Sequence, residues 1–188
     1  RNALLAAGIP GVGPVNDPSS QRVKYGAVQG TGRYQTFSLL GLEPVTDILF
    51  GVTTQLTKEL IVDNPTKYAH VNGAKRVSEL TFYCKDQDIF KTAEETISKL
   101  YAAMEPVTDT GHNLDTVRLV DRESYVAEFG VKPEEDHHFP VVAATYSGCD
   151  LEYVKEAAAD TSLPAFEKNG KVYVDTRDVV GCFSVFEK

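Results

Sequence analysis

Hydrophobic positions along this chain change period several times, and turn-forming residues mark the changes. From Arg33 to Leu40 strand formers dominate, and Gly41 and Pro44 close the run, so a strand is expected there. Val45 to Val62 carries apolar residues at helical spacing (Val45, Leu49, Val52, Leu56, Leu60). Its threonines and the Ile61-Val62 pair lower helix propensity, and the reading leans to strand. Asn72-Gly73 sits between Tyr68–Val71 and Lys75–Cys84, and both turn residues tolerate positive φ, which predicts a hairpin. After Cys84 the period lengthens: Ile89, Phe90, Ala93, Ile97, Leu100, Tyr101 and Met104 recur every three or four residues. Asp86 or Asp88 is placed to cap this helix and Pro106 to end it.

Strand-like runs return at Thr116–Val120 and Tyr125–Phe129. Phe139 to Ser147 is apolar on both faces, as a central strand covered on each side would be. A short helix is expected over Asp150–Ala159. A second Asn-Gly hairpin follows, from Ala165–Lys168 through Asn169-Gly170 to Lys171–Asp175, and a last strand runs from Val179 to Glu187. The elements sum to an α+β fold of mostly antiparallel sheet with two helices.

The opening segment differs from all of this. Six glycines (Gly8, Gly11, Gly13, Gly26, Gly30, Gly32) and three prolines (Pro10, Pro14, Pro18) oppose a long helix or a central strand, so residues 1–32 are expected to be an extended arm and 33–188 a single domain. Charge sharpens the division. Arg1, Arg22, Lys24 and Arg33 against Asp17 give 4 − 1 = +3, so with a net charge of −8 the remainder carries −8 − 3 = −11. The arm also holds apolar residues suited to anchoring it, and Leu4, Leu5, Ile9, Val12, Arg22, Lys24, Tyr25 and Arg33 are its candidate interface.

Composition narrows the classes. A chain of 188 residues with 42% hydrophobic, 10% aromatic and 24% charged residues is long enough for a real core and too apolar for wholesale disorder. An acidic body repels phosphate backbones, which argues against broad nucleic-acid binding, and no apolar run is long enough to span a membrane. Cys84, Cys149 and Cys182 form an odd set without close spacing, so neither a disulfide framework nor a zinc site is suggested and a reducing compartment is mildly favoured. A start at Arg1 rather than Met reads as processed or trimmed.

Two constellations carry candidate chemistry. Cys149 lies at an expected strand-to-helix turn, where amide dipoles lower a thiol's pKa and make a nucleophile. Its base would be His112 or His70, because His137 and His138 lie about ten residues upstream on the same strand, out of reach at about 3.3 Å per residue. The run Glu134-Glu135-Asp136-His137-His138 has metal-ligating side chains, but consecutive loop positions cannot all face one centre, and no metal or cofactor is expected.

With no convincing catalytic set, the expectation is a structural or assembly subunit and not an enzyme. Its partners would be copies of itself or neighbouring subunits bound through the arm, as in a virus or phage capsid or tail, and its setting then the virion. The alternatives are a cysteine-dependent enzyme at Cys149 and a binding module of a hetero-complex.

Overall fold

The computed structural model describes residues 1–9, 11–16, 19–25, 28–39, 51–56, 70–103, 116–134 and 140–188. They form two compact units, Arg1–Tyr68 with Ala93–Glu105 and Ala69–Thr92 with Pro106–Lys188.

The first unit replaces the expected extended arm with a folded sheet. A short helix α1 (Asn2–Ala6) is followed by β1 (Val12–Val15), β2 (Ser19–Tyr25), β3 (Val28–Leu39) and β4 (Gly51–Leu56). All pairings are antiparallel, and β3 pairs with each of the other three strands. Glycine and proline do oppose a long helix here, but they do not oppose a hairpin, and β2 and β3 pair in unbroken register from Ser19↔Tyr34 to Tyr25↔Val28. The anticipated boundary at Gly32–Arg33 falls inside β3. A Cβ at Gly32 would meet the Tyr34 hydroxyl oxygen at 2.5 Å, so a side chain there would turn the Tyr34 ring aside. The expected strand over Val45–Val62 is observed as β4, and its remaining residues lie outside those described.

Helix α2 (Gln87–Ala103) is the predicted long helix. Asp86 caps it by accepting from the backbone N–H groups of Asp88 and Ile89, and Met104 lies outside the described residues. Its residues up to Thr92 belong to the second unit and those from Ala93 to the first.

The second unit is built on a six-stranded mixed sheet of β5 (Arg76–Tyr83), β6 (Thr116–Val120), β7 (Val141–Ser147), β8 (Ala165–Lys168), β9 (Lys171–Val174) and β10 (Phe183–Phe186), in the order β6-β5-β7-β10-β9-β8. The expectation of a mostly antiparallel sheet with two helices is corrected here. The pairs β5–β6 and β7–β10 are parallel, because each is joined by a crossover that includes a helix, and the described residues hold five helices.

Two of those helices stand where strands were expected. Helix α3 (Arg122–Phe129) takes the place of the Tyr125–Phe129 strand: Asp121 accepts from Ser124 N–H at its start, and Gly130 at φ 72° ends it. Helix α5 (Arg177–Val180) occupies the start of the expected Val179–Glu187 strand, which contracts to β10 after Gly181 at φ 85°. Among the described residues no hairpin forms at Asn72-Gly73. His70 O accepts from Gly73 N–H, the Asn72 side chain accepts from Ala74 N–H, and Asn72 O and Lys75 N–H bond to Asp150 and Ser147 instead of to an upstream strand. Tyr68 and Ala69 lie outside the described residues.

Two apolar clusters cover the sheet. Helix α4 (Leu151–Asp160), the expected short helix, contributes Leu151, Val154 and Ala158 to one cluster with Val172 and Val174. Tyr125 and Phe129 of α3 join the other with Tyr83, Phe183 and Val185, through ring centroids 5.8 Å apart for Tyr83–Tyr125 and 4.6 Å for Phe129–Phe183. Each fully buried aromatic or branched side chain contributes about 1.5–3 kcal/mol relative to exposure.

Candidate functional site

Along the α3 side of the sheet one transverse row crosses five strands: Glu79 stands opposite Thr145, Thr145 opposite Val185, Val185 opposite Tyr173, and Tyr173 opposite Phe166. A register irregularity on β5 between Val77 and Glu79 leaves Ser78 as an extra residue beside this row. Its hydroxyl donates to Glu187 Oε1 at 2.8 Å.

A cleft of about 330 Å³ opens over the row. Its floor is the buried set Thr145, Tyr173 and Val185, its walls carry Glu79, Arg118 and Glu128, and Lys168, Asn169 and Lys171 line it from the β8–β9 turn. Arg118 on β6 donates from Nε to Glu79 Oε1 at 2.9 Å and makes a two-pronged pair with Glu128 of α3 at 2.8 and 2.9 Å. Its Nη2 also reaches the Thr81 hydroxyl at 3.2 Å. Burial opposes the guanidinium's charge, but Glu128 and Glu79 outweigh it and hold Arg118 above its ordinary pKa. Burial, reinforced by Glu128, pushes the Tyr173 phenol up to about 12, so it stays protonated and donates to Glu128 Oε1 at 3.3 Å. Of the carboxylate oxygens, Glu79 Oε2 accepts no hydrogen bond among the described residues.

The turn beside the cleft has an explicit cause. Asn169 at φ 52° and Gly170 at φ 75° form the expected two-residue hairpin, which sets Lys168 directly opposite Lys171. Like charges facing across a hairpin repel. Lys168 Nζ is held by the last carbonyls of α3, at 2.6 Å from Ala127 O and 3.4 Å from Glu128 O, and Lys171 by Glu187 at 2.6 Å.

The residues singled out from sequence lie elsewhere. Cys149 precedes α4 as expected, but the helix's opening amides are taken by Asp150, which accepts from Glu152 and Tyr153. The thiol is buried, donates to Tyr146 O at 3.3 Å, and is pushed up by that burial, the direction opposite to nucleophile activation. His70 is exposed, and His112, Glu135, Asp136, His137 and His138 lie outside the described residues. No group of histidine, cysteine and carboxylate residues among the described residues is arranged to hold a metal ion.

Of the arm's candidate contacts, Leu4 and Ile9 are buried within their own chain, Val12 is half-buried, and Leu5, Arg22 and Arg33 are exposed. Lys24 and Tyr25 lie on β2. Sequence reasoning missed the cleft because Glu79, Arg118 and Glu128 are far apart in the chain. The one visible signal was the lysine pair bracketing Asn169-Gly170.

No protein-family model matches the chain, and no curated protein matches it. Among solved structures, the crystal structure of methylmalonyl-CoA epimerase from Mycobacterium tuberculosis aligns with 65% of this chain and 93% of its own, at 8% identity and a TM-score of 0.40. A likeness that remote carries no argument about this chain's chemistry. No helix among the described residues is long and apolar enough to cross a membrane.

Proposed function

We propose that the chain is a binding module whose cleft over β9 and β10 takes a small organic anion. One observation carries the reading: in a cleft where Arg118 is paired with Glu79 and Glu128 and Lys171 with Glu187, Lys168 bonds only to backbone carbonyls, so its charge is met by no carboxylate among the described residues. An unneutralised cation in a cleft of an acidic protein draws anions to that cleft. Its volume of about 330 Å³ lies at the lower end of small-ligand pockets. The buried Tyr173, Thr145 and Val185 give the floor a fixed shape.

The test is a thermal-unfolding titration with acetate, pyruvate and inorganic phosphate at constant ionic strength, with chloride as reference. At 100 times its Kd a ligand that binds only the folded state adds about 2.7 kcal/mol of stability. The expected result is a saturable rise in Tm with at least one of the three anions that Lys168→Ala/Lys171→Ala removes. A rise no greater than chloride gives, or one equal in the double variant, overturns the reading.

A second reading keeps the assembly role, as a structural subunit of a larger particle whose partners are copies of itself or neighbouring subunits. What favours it is surface in the second unit. Among the described residues β8 is the outer strand of its sheet, with Phe166 37% exposed, and Val179 and Val180 are 68% and 63% exposed.

A further inference from the structure

The cleft is electrically two-sided. On the side of β5, β6 and α3, Arg118 with Glu79 and Glu128 sums to 1 − 2 = −1, while Lys168 and Lys171 of the β8–β9 turn, with Glu187 paired to Lys171, sum to 2 − 1 = +1. On the negative side Glu79 has one oxygen, Oε2, that accepts nothing among the described residues, although Oε1 is engaged by Arg118 and Thr81. Both Glu79 and Glu128 keep only 19% side-chain exposure, so a donor that reached them there would be partly desolvated and its hydrogen bond strengthened. On the positive side Lys168 spends its bonds on backbone carbonyls and not on a carboxylate, which leaves its charge unneutralised by any ion pair in the described residues. A simple anion satisfies the second side only.

Resting on the reading of the cleft as an anion site, we propose that its ligand is a zwitterion, a free amino acid. The carboxylate lies against Lys168 and Lys171, and the ammonium is turned toward Glu79 and Glu128. The two sites of opposite sign then select against molecules that have one end alone: an amine without a carboxylate meets the lysine pair, and an acid without an amine leaves Glu79 Oε2 unpaired. Arg118 is a positioning residue in this scheme. It holds both carboxylates in place and keeps a carboxylate ligand from being repelled by them. Glu79 determines the specificity.

Isothermal titration of the full chain tests this with the standard amino acids, each compared with its N-acetyl derivative and its amide. The expected result is that at least one amino acid binds ten-fold or more tightly than both derivatives. Glu79→Gln should then weaken the free amino acid several-fold and leave the N-acetyl derivative unchanged, a split that a purely structural role of Glu79 would not produce. Circular dichroism of the variant confirms that it folds.

If N-acetyl derivatives bind as tightly as the free amino acids, the zwitterion inference falls and the anion reading stands. If neither free nor N-acetylated acids bind, both fall together. Equal weakening of both ligand forms by Glu79→Gln also overturns the inference, since it assigns Glu79 to the shape of the cleft.

Discussion

Among single residues, the three thiols give the sharpest contrast between sequence context and actual surroundings. Cys149 stands beside a helix start, the setting that activates a thiol, yet Asp150 already occupies the amides and the sulfur is buried. Burial pushes Cys84, Cys149 and Cys182 all upward. Iodoacetamide at pH 7.5 should therefore alkylate all three slowly in the native protein and rapidly in urea. Preferential native labelling of Cys149 would restore the cysteine-enzyme reading. Carboxylates respond in the opposite sense. Asp175 accepts from the Arg177 side chain at 2.9 and 2.7 Å, and those bonds hold its carboxyl below the ordinary range against the opposing effect of burial. Asp121 is held down chiefly by Ser124 N–H. A depressed carboxyl binds its proton more weakly in the folded state than in the unfolded one. Its contribution is thus complete above an unfolded pKa of about 3.9 and is lost as pH falls through the lower folded value. Urea midpoints should accordingly hold between pH 6 and 5 and fall below about pH 4. Asp175→Asn should be less stable at pH 6 and show a shallower acid decline, and a decline as steep as the parent's would remove Asp175 from this account.

At the level of elements, legibility followed the number of apolar positions that a segment buries in sequence. Helix α2 carries six at helical spacing and is legible almost to the residue, whereas α3 buries only Tyr125 and Phe129, two aromatics that suit a strand equally well. Its cap signals, Asp121 with Ser124 and then Gly130, were present but outweighed. The parallel pairs were illegible because each depends on which strand returns beside which, a choice made by packing over a crossover and not by local pattern. Half of the candidate cleft was readable: the lysine pair is bracketed by a turn that the sequence announces, while the Glu79–Arg118–Glu128 group is assembled from three elements. That turn can be tested directly. Gly170→Val puts a branched residue at φ 75° and should cost about 1–2 kcal/mol in urea unfolding, and by disturbing the Lys168/Lys171 pair it should also weaken anion binding. Gly181→Val, at φ 85° and away from the cleft, should cost a similar amount and leave binding unchanged. Equal binding by both variants would show that the turn does not position the lysines for a ligand.

For the whole molecule, the charge division still separates two kinds of association. If the +3 opening segment docks on the −11 remainder of another copy, attraction between exposed charges drives assembly and salt weakens it, because screening acts over about 8 Å at physiological ionic strength. If the contact is instead the outer edge of β8 with Phe166, or the exposed Val179 and Val180, two chains of net charge −8 must approach against repulsion, and salt strengthens it. The structure bears on the choice through the opening segment's own pairing. Leu4 and Ile9 are buried in their own unit and β2 is hydrogen-bonded along β3, so part of what would anchor an arm on a neighbour is already used, while Leu5 stays exposed. Deleting residues 1–32 would remove β2 and cut β3, so loss of assembly in that variant would report damage to the fold as much as loss of a contact. Sedimentation velocity of the intact chain at 20 and 500 mM NaCl avoids this confusion. Any oligomer should increase with salt and be dissolved by Phe166→Lys, which places a charge on the edge strand. An oligomer that disperses in high salt and ignores Phe166→Lys would return the contact to the opening segment, and a chain that stays monomeric in both salts would remove assembly from its functions.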